Sequence, residues 1–348
     1  MGFTILTPFC HANHMRKNVA IILTGVLILA ILYAAYDMFV PVQQGNKNIE
    51  VRIPKGASFR QAVDILFDEK LIHDKKIFML VGRLSGADRK IRAGYYSMWT
   101  AMSPLEVLKI LRKGRIIEYE IKVLEGDSLF EIAETIAKTG IAAQDEFMRL
   151  ARDPDFMEAH EIYAPSIEGY IFPDTYLVPK GIDLEDAVGN MIDRMRQKYS
   201  EELVEKTKGM GMSETQVLTL ASIIEKEAVV DEERGLISAV YHNRLKRNMP
   251  LQADPTAIYG VKSSKEKIVK ADLVRKTAYN TYVINGLPPG PIASPGLKSI
   301  VAALNPEKVP YIYFVSNNDG THKFSVTLGE HEQAVRAYRD RKKAKEAG

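Results

Sequence analysis

The sequence predicts an α+β protein that begins with a single transmembrane helix. An uncharged, mostly aliphatic run covers residues 18–36, and a pattern of strand, glycine turn and helix occurs twice after it. From Ser166 onward, helical segments alternate with loops rich in glycine and proline. We therefore expect a membrane helix, then small α/β modules, then a mixed α+β domain.

Composition excludes several kinds of site. The 348 residues leave room for two or three domains, and a net charge of +3 gives no reason to expect nucleic acid as a partner. Cys10 is the only cysteine, which excludes an intramolecular disulfide and a cysteine-rich zinc site. The seven histidines show no metal-binding spacing. We predict neither a metal nor a cofactor.

The aliphatic run has the length of a membrane span, since 19 residues of helix reach roughly 28 Å. Arg16 and Lys17 precede it, which places the N-terminus in the cytoplasm and the rest of the chain outside. A cleaved signal peptide is the alternative, but no small-residue cleavage site follows the run, and we favour an uncleaved anchor. The predicted segments are a cytoplasmic N-terminus at 1–17, a transmembrane helix at 18–38 and a tether at 39–48.

An internal repeat follows the tether. Ile53, Gly56, Ser58, Phe59, Leu66 and Leu71 correspond, 70 residues later, to Val123, Gly126, Ser128, Leu129, Ile136 and Ile141. Each copy predicts a short strand, a glycine turn, a serine N-cap and an amphipathic helix. Such units resemble LysM-type modules, which bind N-acetylglucosamine polymers, so we predict a glycan-binding region at 49–155. A spacer without ligand is the alternative.

Glu225 stands out as a candidate catalytic residue. Ser213 and Gln216 form a capping-box pattern, and Leu218, Ala221, Ser222 and Glu225 share one face of the helix that follows. Glu227 points to nearly the opposite side. A carboxyl in an apolar setting can hold its proton near neutral pH, which suits a general acid that breaks a glycosidic bond. Alternatively, Glu225 is solvated or paired with Lys or Arg.

Polar and aromatic residues in the later loops are candidates for substrate binding. Amides, carboxylates and phenols can bond sugar hydroxyls and acetamido groups, and a tyrosine ring can pack on a sugar face. Alternatively, these side chains hold the loops together by bonding the backbone. The candidates are Glu168, Gln252, Asp254, Tyr279, Asn280 and Tyr282. Strands at Tyr311–Ser316 and His322–Ser325 are predicted to pair across an Asn-Asp-Gly turn.

The order of the motifs resembles a known family. The motifs are EGYIFPDTY at 168–176, ASIIEKE at 221–227, NRL at 243–245, LQADPT at 251–256, YNTY at 279–282 and GLPPGPI at 286–292. Together they resemble the membrane-bound endolytic murein transglycosylases of the MltG/YceG type. The resemblance covers the chain from the membrane anchor to about Arg339.

The resemblance implies an enzyme of the bacterial inner membrane that cuts within peptidoglycan strands. Such enzymes cleave the β-1,4 bond between N-acetylmuramic acid and N-acetylglucosamine without water, leaving a 1,6-anhydromuramic end. They are carbon–oxygen lyases, and their catalytic glutamate corresponds to Glu225, in a catalytic domain predicted at 156–345. The resemblance also implies association with peptidoglycan synthases of the penicillin-binding class. An anchored enzyme would meet nascent strands and end their elongation.

A single carboxyl can carry the expected reaction. Glu225 would protonate the leaving O4 and then accept the proton of the muramic C6 hydroxyl, while the substrate's acetamido group stabilises the cation. The nearest candidates for a second carboxyl are Glu168, Glu233 and Asp254, which we expect to orient groups. Two alternatives are a muramidase-type hydrolase with two carboxyls and a non-catalytic glycan-binding scaffold of the wall-synthesis machinery.

Overall fold

The computed structural model describes residues 9–263 and 266–347 and divides the chain into two compact units. Unit 1 is the chain up to Glu118 together with Pro179–Gly181, and unit 2 comprises Tyr119–Val178 and the chain from Ile182 onward. The architecture is mixed α+β, as predicted. Part of the predicted cytoplasmic segment, residues 1–8, lies outside the described residues.

Unit 1 contains one long helix and a small α/β module. Its elements are α1 (Phe9–Phe39), β1 (Asn48–Ile53), α2 (Phe59–Asp68), α3 (Lys75–Leu84), β2 (Gly94–Trp99) and α4 (Pro104–Lys113). The two strands pair antiparallel, with Val51 opposite Tyr96. Because alternate strand residues face the same side, Val51, Ile53, Tyr96 and Met98 enter one core with the apolar faces of α2 and α4.

Helix α1 contains the predicted membrane span. Its segment Arg16–Phe39 is long and apolar enough to cross a membrane, and most of its side chains are exposed. By contrast, the last turn of α1 packs against the α/β module of unit 1, and Met38 is buried in the core of that module. The predicted tether is bound to the same unit, since Gln43 donates from its side-chain amide to the carbonyls of Glu69 and Lys70 at 3.2 and 3.1 Å.

Unit 2 is built around one central helix. Its elements are β3 (Glu118–Lys122), α5 (Leu129–Thr139), α6 (Gln144–Leu150), α7 (Pro154–Ala159), β4 (Thr175–Pro179), α8 (Leu184–Lys198), α9 (Glu201–Gly209), α10 (Glu214–Glu227), α11 (Arg234–Lys246), α12 (Asp254–Ile258), α13 (Lys270–Leu273), α14 (Leu297–Leu304), β5 (Tyr313–Ser316), β6 (His322–Ser325) and α15 (Leu328–Ala347). Strand β3 pairs with β4, and β5 pairs antiparallel with β6, which confirms the predicted hairpin. Helix α10 is buried at every residue from Val217 to Ile224 and packs against α9, α11, α12 and α14. An all-round buried helix differs from the one-faced helix that the sequence pattern predicted.

The two copies of the repeat have the same local structure in different units. In both, a strand leads through a glycine with positive φ, Gly56 or Gly126, to a capping box and a helix. Helix α5 of the second copy packs into the core of unit 2, which begins at Tyr119. The predicted functional boundary between residues 155 and 156 stays a prediction. The LysM-like character of the two copies also stays a prediction.

Gly82 provides a test of the packing in unit 1. A Cβ at this helical position would overlap the ring of Phe59, which stacks on Phe78. Ala ordinarily stabilises a helix by about 1 kcal/mol relative to Gly. Here, Gly82→Ala should instead lower the free energy of unfolding by about 1–3 kcal/mol. Fluorescence of Trp99, the only tryptophan, reports unfolding of this unit. When Phe59 is also replaced by Ala, Gly82→Ala should no longer lower the free energy of unfolding. A loss as large as in the protein that retains Phe59 would contradict this packing.

Candidate active site

Glu225 lies in the last turn of α10, where the buried helix reaches the edge of unit 2. Ser213 and Gln216 form the predicted capping box at the start of the helix, which ends at Glu227 because Ala228 is extended. The Glu225 side chain keeps only 5% of its surface exposed. A carboxyl in such a position must have bonding partners within the protein.

Both Glu225 oxygens accept hydrogen bonds. Arg234 donates from Nη1 to Oε1 at 3.1 Å, and the backbone N–H of Gly296, which precedes α14, donates to Oε2 at 2.8 Å. This is the bonding pattern of a carboxylate, so the surroundings differ from the apolar setting that the sequence predicted. The alternative of an arginine partner is confirmed. The helical pattern could not show Arg234, because it lies on another helix.

Arg234 connects three helices at this point. Its side chain is 10% exposed, bonds Glu225 of α10 and contacts Ser299 Oγ of α14, while Arg234 itself begins α11. Its Nε also donates to Asp231 Oδ1 at 3.0 Å. Removing a buried charge from such a network is costly, since its partners would be left unpaired. Arg234 therefore fixes the position of the Glu225 carboxylate.

The glycine turn of the second repeat copy borders the same carboxylate. Lys226 Nζ donates to the Gly126 carbonyl at 3.0 Å, and the Gly126 N–H donates to the Ser294 carbonyl at 2.9 Å. A Cβ on Gly126 would lie 3.9 Å from Glu225 Cγ. A Cβ on Gly296 would overlap the carboxyl group of Glu125, in the same turn. Residues about 100 positions apart are thus brought together around Glu225.

Glu227 belongs to a separate polar cluster. Loss of hydration raises its pKa to about 7, and the nearby Asp254 carboxylate adds to the rise. Asp254 in turn accepts a hydrogen bond from the Tyr282 hydroxyl at 2.5 Å, and Gln252 Oε1 accepts one from Arg244 at 3.3 Å. The structure therefore brings together three predicted substrate-binding residues, Gln252, Asp254 and Tyr282. Gln252 and Asp254 are exposed.

Glu168 is buried in a third cluster. It accepts hydrogen bonds from the Leu129 N–H at 3.1 Å and from the Tyr259 hydroxyl at 2.7 Å. Burial raises its pKa to about 7 against the opposing effect of these bonds. The Tyr279 ring lies 4.7 Å from that of Tyr259, centroid to centroid. Glu168 thus joins the start of α5 to the tyrosine pair, and Tyr279 keeps part of its surface exposed.

Asn280 has no exposed surface, and the backbone uses its whole amide group. Nδ2 lies within hydrogen-bond distance of the carbonyls of Asp272, Leu273 and Arg275, and Oδ1 accepts the N–H of Tyr282 at 3.0 Å. This matches the alternative in which such residues hold the loops together. The loop that carries Tyr279 and Tyr282 is shaped by Asn280.

The other expected second carboxyls also have partners away from Glu225. Glu233 accepts hydrogen bonds from the backbone N–H and ring of His322 at 2.9 and 2.7 Å. Glu125 was not among the carboxyls that the sequence predicted. It lies next to Gly296, the residue whose backbone N–H donates to Glu225. One sequence signal for Glu125 is a difference between the two repeat copies, because the first copy has Lys55 at the matching position. Within the described residues, no cluster of histidine, cysteine and carboxylate side chains could hold a metal ion.

A cavity of about 290 Å³ lies next to this region. Its lining is mainly apolar and includes Phe130, Lys226, Tyr259 and Ile292. A larger cavity, about 1010 Å³, lies at the N-terminal end of α10 around Ser213. Helix α10 has 14 residues, so the two ends are roughly 20 Å apart. Of these two cavities, the smaller one is lined by Lys226, the residue that follows Glu225.

Comparison with known proteins gives one consistent result. The model of the YceG-like family matches residues 51–337. The chain is 32% identical to the endolytic murein transglycosylase of Bacillus subtilis over 326 residues, 89% of this chain and 90% of that protein. It is 28% identical to the Streptococcus pneumoniae enzyme of the same name, covering 91% of this chain but 64% of that protein. The crystal structure of a yceG-like protein from Listeria monocytogenes aligns with a TM-score of 0.57 and 33% identity, over 83% of this chain and 99% of that one.

Glu227 makes stability depend on pH. Its pKa in the folded protein, about 7, lies above the ordinary 4.5, so folding favours the protonated form. That contribution is complete below about pH 4.5 and is lost as the pH rises through about 7. Between pH 5 and 8, the free energy of unfolding of the wild type should fall by about 2 kcal/mol relative to that of Glu227→Gln.

Urea unfolding of the full chain in detergent micelles, followed by circular dichroism, measures this difference. Glu232→Gln is the matched control, because Glu232 is exposed. It should keep the pH dependence of the wild type. The same pH dependence in Glu227→Gln and the wild type would contradict the assignment.

Proposed function

The chain belongs to the YceG-like family, and we propose that it is a membrane-anchored endolytic transglycosylase of peptidoglycan. The observation that carries this proposal is the nearly buried Glu225 carboxylate, fixed at the edge of unit 2 by Arg234 and the Gly296 N–H. The names of the bacillar and streptococcal relatives give the substrate class. The reaction cuts the bond from N-acetylmuramic acid to N-acetylglucosamine and leaves a 1,6-anhydromuramic end.

In this mechanism Glu225 serves as both acid and base. It protonates O4 of the departing N-acetylglucosamine as the C1–O4 bond breaks, and then accepts the proton of the muramic C6 hydroxyl as that oxygen attacks C1. Glu225 takes up one proton from solvent when substrate binds, gives it to O4 and regains it from the C6 hydroxyl, so no water is added to the product and no cofactor is needed. Since both Glu225 oxygens accept bonds in the free protein, binding of substrate must displace Arg234 or Gly296 from one oxygen before that oxygen carries a proton.

The polar loop clusters would position the glycan strand. Gln252 and Asp254 are exposed and can bond sugar hydroxyl or acetamido groups, while Tyr282 orients Asp254 through its hydroxyl. Tyr279 keeps enough exposed surface to pack on a sugar face. Glu168 and Asn280 would act on the glycan indirectly. Glu168 holds Tyr259, and Asn280 shapes the loop that carries Tyr279 and Tyr282.

Helix α1 would place the enzyme at the inner membrane. Arg16 and Lys17, at the start of the apolar span within this helix, favour a cytoplasmic N-terminus, with the chain that follows the span on the outer side. From that position the enzyme meets nascent strands, ends their elongation and works beside synthases of the penicillin-binding class. The repeat region at 49–155 would bind glycan in the manner of LysM modules.

The catalytic role of Glu225 is tested by the products. Full-length protein in detergent micelles is incubated with uncrosslinked glycan strands, and the fragments are identified by mass spectrometry. The wild type should release anhydro-ended fragments, and Glu225→Gln should lower the rate at least 100-fold, the usual contribution of an acid–base group. Glu232→Gln, an exposed glutamate seven positions later, should cleave like the wild type.

Other outcomes identify the alternatives. Reducing ends in place of anhydro ends would show a muramidase-type hydrolase. Strands left intact by the wild type, with binding retained, would favour the scaffold. Full activity of Glu225→Gln would overturn the assignment of the catalytic carboxyl.

A further inference from the structure

A second carboxylate lies beside Glu225. Glu125 is exposed, and within the described part of the chain no hydrogen bond or salt bridge occupies its carboxyl group. Its Oε1 is the atom nearest to a Cβ placed on Gly296, and the Gly296 N–H donates to Glu225 Oε2 at 2.8 Å. From standard bond lengths, the nearest oxygens of the two carboxyl groups are therefore at most about 8 Å apart.

The backbone that carries Glu125 is fixed from both sides. The Gly126 N–H donates to the Ser294 carbonyl at 2.9 Å, and the Ser294 N–H donates back to the Asp127 carbonyl at 2.7 Å. Asp127 also accepts the Leu124 N–H at 2.8 Å. Together with the bond from Lys226, these contacts hold the turn against the end of α10. Glu125 is therefore an exposed side chain on a fixed backbone, so a substrate could contact its carboxylate without reordering the turn.

Gly296 permits this arrangement. Its N–H faces Glu225, and the space that a side chain would occupy holds the Glu125 carboxyl. Two carboxyl groups thus approach the same residue, and a substrate that reaches one comes within reach of the other. Pairs of carboxyls about 5–9 Å apart flank the scissile bond in many glycosidases.

The proposed reaction leaves one task without a protein group. Glu225 performs both proton transfers, so no second acid or base is needed. Positive charge nevertheless develops at C1 and passes to the acetamido nitrogen when the acetamido oxygen bonds C1, as in substrate-assisted glycosidases. A fixed carboxylate next to that nitrogen would stabilise the charge.

We propose, on the premise of the proposed function, that Glu125 is a second catalytic residue that accepts the acetamido N–H of the muramic residue. As C1–O4 breaks, O4 takes the proton of Glu225 and the acetamido oxygen bonds C1, giving an oxazolinium ion whose N–H points at Glu125. The C6 oxygen then bonds C1, the C1–acetamido bond breaks, and the C6 proton passes to Glu225. Glu125 itself gains and loses no proton.

Kinetics of Glu125→Gln test this role. In full-length protein in micelles, kcat on uncrosslinked strands should fall about 100-fold, as when a single charge-stabilising group is removed, while KM changes less than about threefold. Glu125→Asp should restore part of the rate. Glu120→Gln is the matched control, because Glu120 is exposed on β3, five positions earlier. Glu125 is exposed, so the variants should unfold at the same urea concentration as the wild type.

A stable analogue separates this proposal from the proposed function. A muramic acid thiazoline, with sulfur in place of the acetamido oxygen bonded to C1, mimics the oxazolinium ion. Calorimetry should show that Glu125→Gln binds it at least 30-fold more weakly than the wild type. Glu225→Gln, whose loss of cleavage tests the proposed function, should bind it within a few-fold of the wild type.

Three results would overturn the role of Glu125. One is a wild-type kcat in Glu125→Gln. Another is a lowered kcat with unchanged affinity for the thiazoline. The third is release of reducing ends by the wild type and loss of them in Glu125→Gln, which would make Glu125 the second carboxyl of a hydrolase.

Discussion

The burial of α10 is the constraint on which unit 2 depends. Eight consecutive residues, Val217–Ile224, are removed from water, and only the first and last turns of the helix reach the edge of the core. Ser222 within this stretch accepts the Ile292 N–H at 3.0 Å, so the helix also fixes the GLPPGPI loop. Charged residues cannot enter such a helix without partners. Glu225 and Glu227 therefore occur where other elements supply those partners.

Glu225 and Glu227 lie in the same turn of α10 but have different neighbours, because their side chains point in different directions. Two residues apart, they point about 200° apart around the axis. Glu225 meets a guanidinium and a backbone N–H, whereas Glu227 meets Asp254 and loses hydration, which raises its pKa. The sequence reasoning assigned the proton-holding environment to Glu225. In the structure, burial raises the pKa of Glu227, and Glu225 has Arg234 as an ionic partner.

Local features of the fold could be predicted from the sequence because their causes are local. The capping box at Ser213, the apolar span within α1 and the β5–β6 hairpin each depend on residues close together in sequence. Arg234, Gly296 and Glu125 could not be assigned to the site, because their contacts with Glu225 arise only from tertiary packing. The complete burial of Asn280 also results from tertiary packing and could not be predicted from the sequence pattern.

The repeat shows how one local motif can serve two purposes. Strand, glycine turn and capped helix recur because the same turn chemistry stabilises both copies. In unit 1 the turn carries Lys55, and in unit 2 it carries Glu125 against the end of α10. A turn fixed by its own backbone bonds tolerates a change at its exposed position, because folding does not depend on that side chain. A side chain at this position can therefore contact a substrate, and in the second copy it lies near Glu225, the carboxylate that Arg234 holds at the C-terminal end of α10.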